Sequence, residues 1–294
     1  MKIFITGASG QLGRELLNTC PITSKNSIIK ALTSNELDIT QRQMTIFEID
    51  GFRPDVIINC AAYTAVDKAE SEPDRALEVN AIGPENLAVA AAKINARLIH
   101  ISTDFVFDGK KSFPYEPQDS TNPLSIYGQT KLEGEKIVLK TIPERSVVIR
   151  TSWLYSAYGH NFVKTMLRLI AERPVIAVVA DQIGSPTWAN GLAKAVWSFV
   201  LKPELTGIYH WSDAGVASWY DLAHAILEEA RLLGILNTHT EITPIKTSEY
   251  PTAAKRPSFS VLDTTSARKA LGIKASHWRV ELRKMLKELP SKKH

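Results

Sequence analysis

Cysteine is scarce. Cys20 and Cys60 are the whole complement of 294 residues, which supplies no disulfide framework and fits a reducing cytoplasm. Long apolar runs are missing as well: no stretch approaches the roughly eighteen consecutive apolar residues of a membrane span. The opening Met1-Lys2-Ile3-Phe4-Ile5-Thr6 leads straight into a glycine loop, so no targeting segment is expected there. Charge of one sign is also lacking. The net charge is +4, and Glu281 to His294 holds five Lys or Arg against two Glu, so the pI of 8.9 describes a basic tail on a nearly neutral body. That is weak support for a nucleic-acid face. Seven histidines show no ligand spacing; His100 lies in an apolar run and reads as a core residue, and His160 reads as loop. These absences predict a cytoplasmic protein with neither nucleic-acid nor membrane partner.

What is present is a globular composition. Hydrophobic residues make up 44% and charged residues 22%, which excludes disorder, collagen and coiled coil. Short, almost continuously apolar runs alternate with helical patterns through the first half. Strands are expected at Lys2–Thr6, Ile28–Leu32, Val56–Cys60, Arg97–Ser102 and Val147–Thr151, as when helices cover both faces of a parallel sheet. Helices are expected around Leu12–Thr19, Arg42–Gly51, Asp74–Asn95 and Ile126–Leu139. Strand-then-helix repeated five times predicts an α/β class, a doubly wound parallel sheet of Rossmann type. The second half keeps the alternation more loosely. Strands at Val175–Ala180 and Ile208–Trp211, and helices at Leu192–Leu201, Trp219–Leu233 and His277–Leu289, are separated by loops marked by Pro174, Pro186, Pro203, Pro244, Pro251 and Pro257. The expected division is a dinucleotide-binding core over 1–151 and a smaller C-terminal substrate lobe drawn mainly from 152–294, with chain crossings back to the core left open.

Gly7-Ala8-Ser9-Gly10-Gln11-Leu12-Gly13 follows the first strand and opens the first helix. Glycine there allows a tight turn and lets a pyrophosphate approach the helix N-terminal amides. Leu32-Thr33-Ser34-Asn35, ending the second strand, offers neither an acid for a ribose 2′-hydroxyl nor an Arg for a 2′-phosphate, and the missing carboxylate favours NADP or dual use. Asp38 and Ile39 read either as adenine contacts or, for the Asp, as a loop cap. Ser102-Thr103-Asp104 ends the fourth strand, where doubly wound sheets bind ligands. Tyr127 and Lys131, four residues apart, share one helical face. A nearby ammonium is expected to favour the phenolate and lower the tyrosine pKa.

Together these residues resemble the extended short-chain dehydrogenase/reductase superfamily. Asn59 to Glu70, Ser102 to Gly109, Arg150 to Tyr155, Asn161 to Met166, Asp181 to Thr187 and Arg256-Pro257 are similar, more narrowly, to the dTDP-4-dehydrorhamnose reductases, over roughly residues 1 to 288. The resemblance implies reduction of dTDP-4-dehydro-β-L-rhamnose to dTDP-β-L-rhamnose with NADPH or NADH. It implies Gly7, Gly10, Gln11, Leu12 and Gly13 at the pyrophosphate and Ala62, Tyr63 and Thr64 on the nicotinamide side. Tyr127 would donate the proton, Lys131 would lower its pKa and hold the ribose, and Thr103 would bond the ketone. Asp104 and Trp153 would line the sugar pocket, and Arg256 would grip the diphosphate. Phe105 stands where the family usually has Tyr, so specificity could differ in detail. Some members bind Mg²⁺ at a dimer contact. Glu15 falls at one such place, but Trp188-Ala189-Asn190 offers no second carboxylate, so metal is not expected in the chemistry and a homodimer stays open. Two alternatives remain: a non-catalytic relative of the methionine adenosyltransferase regulatory subunit, and a reductase or epimerase of another nucleotide sugar. Trp188, Trp197, Trp211 and Trp219 read mainly as core, with stacking on thymine as the other reading.

Overall fold

Strands buried on both faces need apolar side chains at every position, and Ile3, Phe4, Ile5, Ile57 and Ile58 are all fully buried. The computed structural model describes residues 1–21, 27–274 and 276–289. The first half runs β1 (Lys2–Thr6), α1 (Gln11–Asn18), β2 (Ile28–Leu32), α2 (Arg42–Phe52), β3 (Val56–Asn59), α3 (Val66–Ala69), α4 (Pro73–Leu77) and α5 (Gly83–Ile94). It continues with β4 (Arg97–Thr103), α6 (Ile126–Thr141) and β5 (Ser146–Thr151). The second half holds β6 (Leu154–Tyr155), α7 (Phe162–Glu172), β7 (Val175–Val179), β8 (Ile183–Gly184), β9 (Thr187–Trp188), α8 (Ala189–Val200) and β10 (Gly207–His210). It ends with β11 (Ala217–Ser218), α9 (Trp219–Leu232), β12 (Glu241–Ile245), α10 (Thr265–Leu271) and α11 (Trp278–Glu288).

Six parallel strands form the main sheet in the order β10-β5-β4-β3-β1-β2. The order reverses between β1 and β3, which opens a crevice beyond their C-terminal ends. Leu12 and Leu16 of α1, with α8, cover one face through Ile3, Ile58 and Val147. Leu87 of α5 and Val138 of α6 cover the other through Phe4, Ile57 and Val148. A separate apolar core joins α7, α9 and α11 to β7 and β12. The chain after residue 152 therefore serves both bodies, because α8 packs on α1 and β10 extends the sheet.

Three expectations needed correction. The helix foreseen over 74–95 is broken: α4 gives way to a π-helical turn, Glu78–Ile82, before α5. Pro84 has no N–H to offer the Asn80 carbonyl, so the ladder widens by one residue there. Pro244 lies not in a loop but in β12, where a two-stranded sheet tolerates it. Cys60 falls just beyond β3 rather than inside it. Three helices went unforeseen: the four-residue α3, α7 and α10. In α7, Val163, Met166 and Ile170 form the buried stripe and the Asn161 side chain accepts from the Lys164 amide. Short α10 ends at Gly272, at φ 72. The basic end from residue 290 lies outside the described residues. No helix among the described residues is long and apolar enough to cross a membrane.

Candidate active site

Gly7, at φ 69, turns the chain out of β1, and a Cβ there would meet the Ala61 amide at 2.7 Å. A Cβ on Gly13 would overlap the Gly7 carbonyl. Gly10 caps α1 without a side-chain hydrogen bond, so the first amides of the helix stay available to an anion. Gln11 and Leu12 contribute those amides. The Gln11 side-chain carbonyl accepts from Asn161, and the Leu12 side chain is core. This glycine cradle fits a dinucleotide pyrophosphate. Ala62, Tyr63 and Thr64 follow β3, and their loop is clamped by a residue not foreseen as functional. Asn80, in the π-helical turn, accepts from the Tyr63 amide at 2.9 Å and donates to its carbonyl at 3.1 Å. Asp38 is a loop cap, accepting from the Thr40 amide and hydroxyl, and Ile39 is buried against α5.

Thr103, Asp104, Tyr127 and Lys131 converge at the C-terminal end of β4. The Tyr127 phenol lies close enough to the Thr103 hydroxyl to be influenced by it, and Phe105 packs edge-on to its ring at 5.5 Å. The expected lowering is not what the surroundings give: burial and the Asp104 carboxylate push Tyr127 up to about 12, against the opposing influence of the Thr103 hydroxyl. Lys131 is fully buried and donates to the Ile101 carbonyl at 2.6 Å instead of to the phenol. Burial lowers its pKa to about 8, against the opposing pull of Glu135 and Cys60. Asp104 is raised to about 6 by burial despite hydrogen bonds from Ser260 and Thr103, and its Oδ2 has no partner. Thr151 Oγ1, beside Thr103 in strand register, is a second buried atom without one. Orphaned polar atoms at the open end of a sheet suit a polyhydroxylated ligand.

The second half supplies a cavity of about 360 Å³ lined by Phe162, Met166, Gln182, Trp219, Tyr250 and Arg256. Trp153 adopts φ 46, strained for a bulky residue, and stacks on Trp219 at 3.5 Å. Trp188, Trp197 and Trp211 are core, so Trp219 is the exception. Arg256 stands at this cavity, but its fork is taken: NH1 and NH2 hold Asp67 of α3 at 3.0 and 2.6 Å. The chain from Arg256 to Ser260 links the cavity to Asp104. Glu15 is not poised for a metal. Its carboxylate is buried and accepts from Ser156 at 2.7 Å and Asn190 at 3.1 Å. His100 is fully buried.

A switch-point glycine cradle beside a tyrosine–lysine helix defines a Rossmann-type oxidoreductase of the short-chain dehydrogenase/reductase class. The chain belongs to the family described as RmlD substrate binding domain, whose model matches residues 1–291. It is 44% identical to the dTDP-4-dehydrorhamnose reductase of Aggregatibacter actinomycetemcomitans, covering 96% of this chain and 97% of that protein. The crystal structure of a dTDP-4-dehydrorhamnose reductase from Clostridium acetobutylicum is similar at TM-score 0.91 and 41% identity, over 98% and 99% of the two chains. That of the Bacillus anthracis enzyme, a complex with NADP, is similar at 0.90 and 38%, with the same coverage.

Proposed function

We propose that this chain reduces dTDP-4-dehydro-β-L-rhamnose to dTDP-β-L-rhamnose with NADPH or NADH, completing an activated deoxysugar. The observation that carries this is the convergence of Thr103, at the open end of β4, with Tyr127 and Lys131, one helical turn apart on α6. The glycine cradle and the 62–64 loop would hold the reduced dinucleotide, which would supply the hydride for C4. Thr103 and Tyr127 hold the ketone oxygen, and Tyr127 gives it a proton as negative charge develops there. Lys131, anchored on the Ile101 carbonyl, would hold the nicotinamide ribose. The Asp104 Oδ2 atom accepts from a sugar hydroxyl. The nucleoside lies in the Trp219 cavity, and Arg256 exchanges Asp67 for the diphosphate. Residues from 152 onward, apart from α8, β10 and α10, form the lobe that grips the nucleotide sugar.

The test is loss of reduced-nicotinamide absorbance with the dTDP-ketosugar. Tyr127→Phe lowers kcat by about 10²- to 10⁴-fold and leaves dinucleotide affinity unchanged. Undiminished turnover by that variant refutes the assignment of Tyr127. Failure of the parent chain to reduce this ketosugar refutes the substrate.

A further inference from the structure

The stretch after β2 lacks an acid at the position where one would meet the adenosine ribose, yet the folded chain delivers one. Glu36 turns back, and its Oε2 accepts from the Thr33 amide and hydroxyl, each at 2.8 Å. Thr33 is the first residue beyond the strand, and its neighbour Leu32 takes the Ala8 amide of the glycine loop at 3.0 Å. A carboxylate therefore occupies the Thr33 donors just beyond β2, the region where doubly wound folds place the adenosine ribose. Those two bonds also hold Glu36 below the usual carboxylate range, so it is ionised at neutral pH. Among the described residues no ion pair reaches Glu36, and the nearby Arg75 pairs with Asp38 at 3.8 Å and Glu78 at 3.1 Å.

We propose that Glu36 is a cofactor-selecting residue, which accepts from the 2′-hydroxyl of NADH and repels the 2′-phosphate of NADPH. The proposal rests on the dinucleotide reading of the glycine cradle. Glu36 is exposed, so water screens the repulsion and the effect is one of preference rather than exclusion. Glu36→Gln keeps an acceptor for Thr33 and removes only the charge; Glu36→Arg reverses it.

The measurement is direct titration of NADPH and NADH by nicotinamide fluorescence, without sugar substrate. The ratio of NADPH to NADH affinity should rise about tenfold in the Gln variant and further in the Arg variant. Added salt should narrow the difference between parent and Gln variant. A ratio unchanged or lowered in both variants overturns the proposal while the cofactor reading stands. Failure of the parent chain to bind either dinucleotide overturns that reading, and the proposal with it.

Discussion

Tyr127 keeps its proton because burial and the Asp104 charge both disfavour the phenolate, whereas Lys131 is buried enough to lose its own near pH 8. A reduction that consumes a proton at the ketone oxygen uses the phenol in this neutral form. The pH-sensitive partner is thus the lysine: its folded pKa is depressed, so its charge is present below about 8 and lost above it. The reductive kcat should fall as pH rises through that value, and a pH-rate profile of Lys131→Met should lack that limb. Arg256 makes a different prediction. In the proposed role Arg256 grips the diphosphate equally in ground and transition states, so Arg256→Ala should raise KM for the nucleotide sugar at least about tenfold with kcat little changed. Tyr127, Lys131, Thr103 and Asp104 were legible because four-residue spacing and a strand end are local features. Asp67, Asn80 and Glu36 were not. Their partners Arg256, Tyr63 and Thr33 are identified by tertiary approach or by a turn that folds a side chain back.

At the scale of elements, α6 carries Tyr127 and Lys131 and is seated by two glycines. A Cβ on Gly134 would overlap the Asn80 carbonyl, and one on Gly128 would overlap that of Phe105. The widened turn at Glu78–Ile82 and the bare flank of α6 are therefore one fitted contact. Gly134→Ala should displace α6 and the Asn80 clamp together, costing about 1–3 kcal/mol of stability in a denaturant titration. It should also lower kcat, although residue 134 touches no reactant. The elements themselves were largely readable from apolar runs. The break in the long helix was marked by Gly83-Pro84, and α7 by its Val163, Met166 and Ile170 stripe. Strand β12 was hidden because Pro244 signals a loop unless the strand has an unpaired side, and that is a property of the sheet.

Across the whole molecule, distant segments are tied by buried polar groups. Glu15 of α1 receives Ser156 and Asn190 from the second half. Glu15→Ala leaves both donors buried and unpaired, and should lower stability by about 2 kcal/mol or more, read as a fall in Tm. Asp213 acts in the opposite sense. Burial raises it to about 8 although it accepts from the Trp188 amide. The folded state then holds a proton that the unfolded chain releases near 4, so this group makes stability fall as pH rises from about 4 to 8. Asp213→Asn should melt higher than the parent at pH 8.5, by at least about 1 kcal/mol of stability, and lose that advantage near pH 4.

The sequence by itself determined the strand–helix alternation of the first half, the glycine cradle and the tyrosine–lysine pair, because these depend on periodicity and on residues within a turn of one another. The tertiary structure decided the protonation of Tyr127 and Lys131, the pairing of Arg256 with Asp67, the internal use of Glu15 and the return of β10 to the sheet. Each of those depends on how much water is excluded and on which distant groups arrive, and neither quantity is encoded in local spacing.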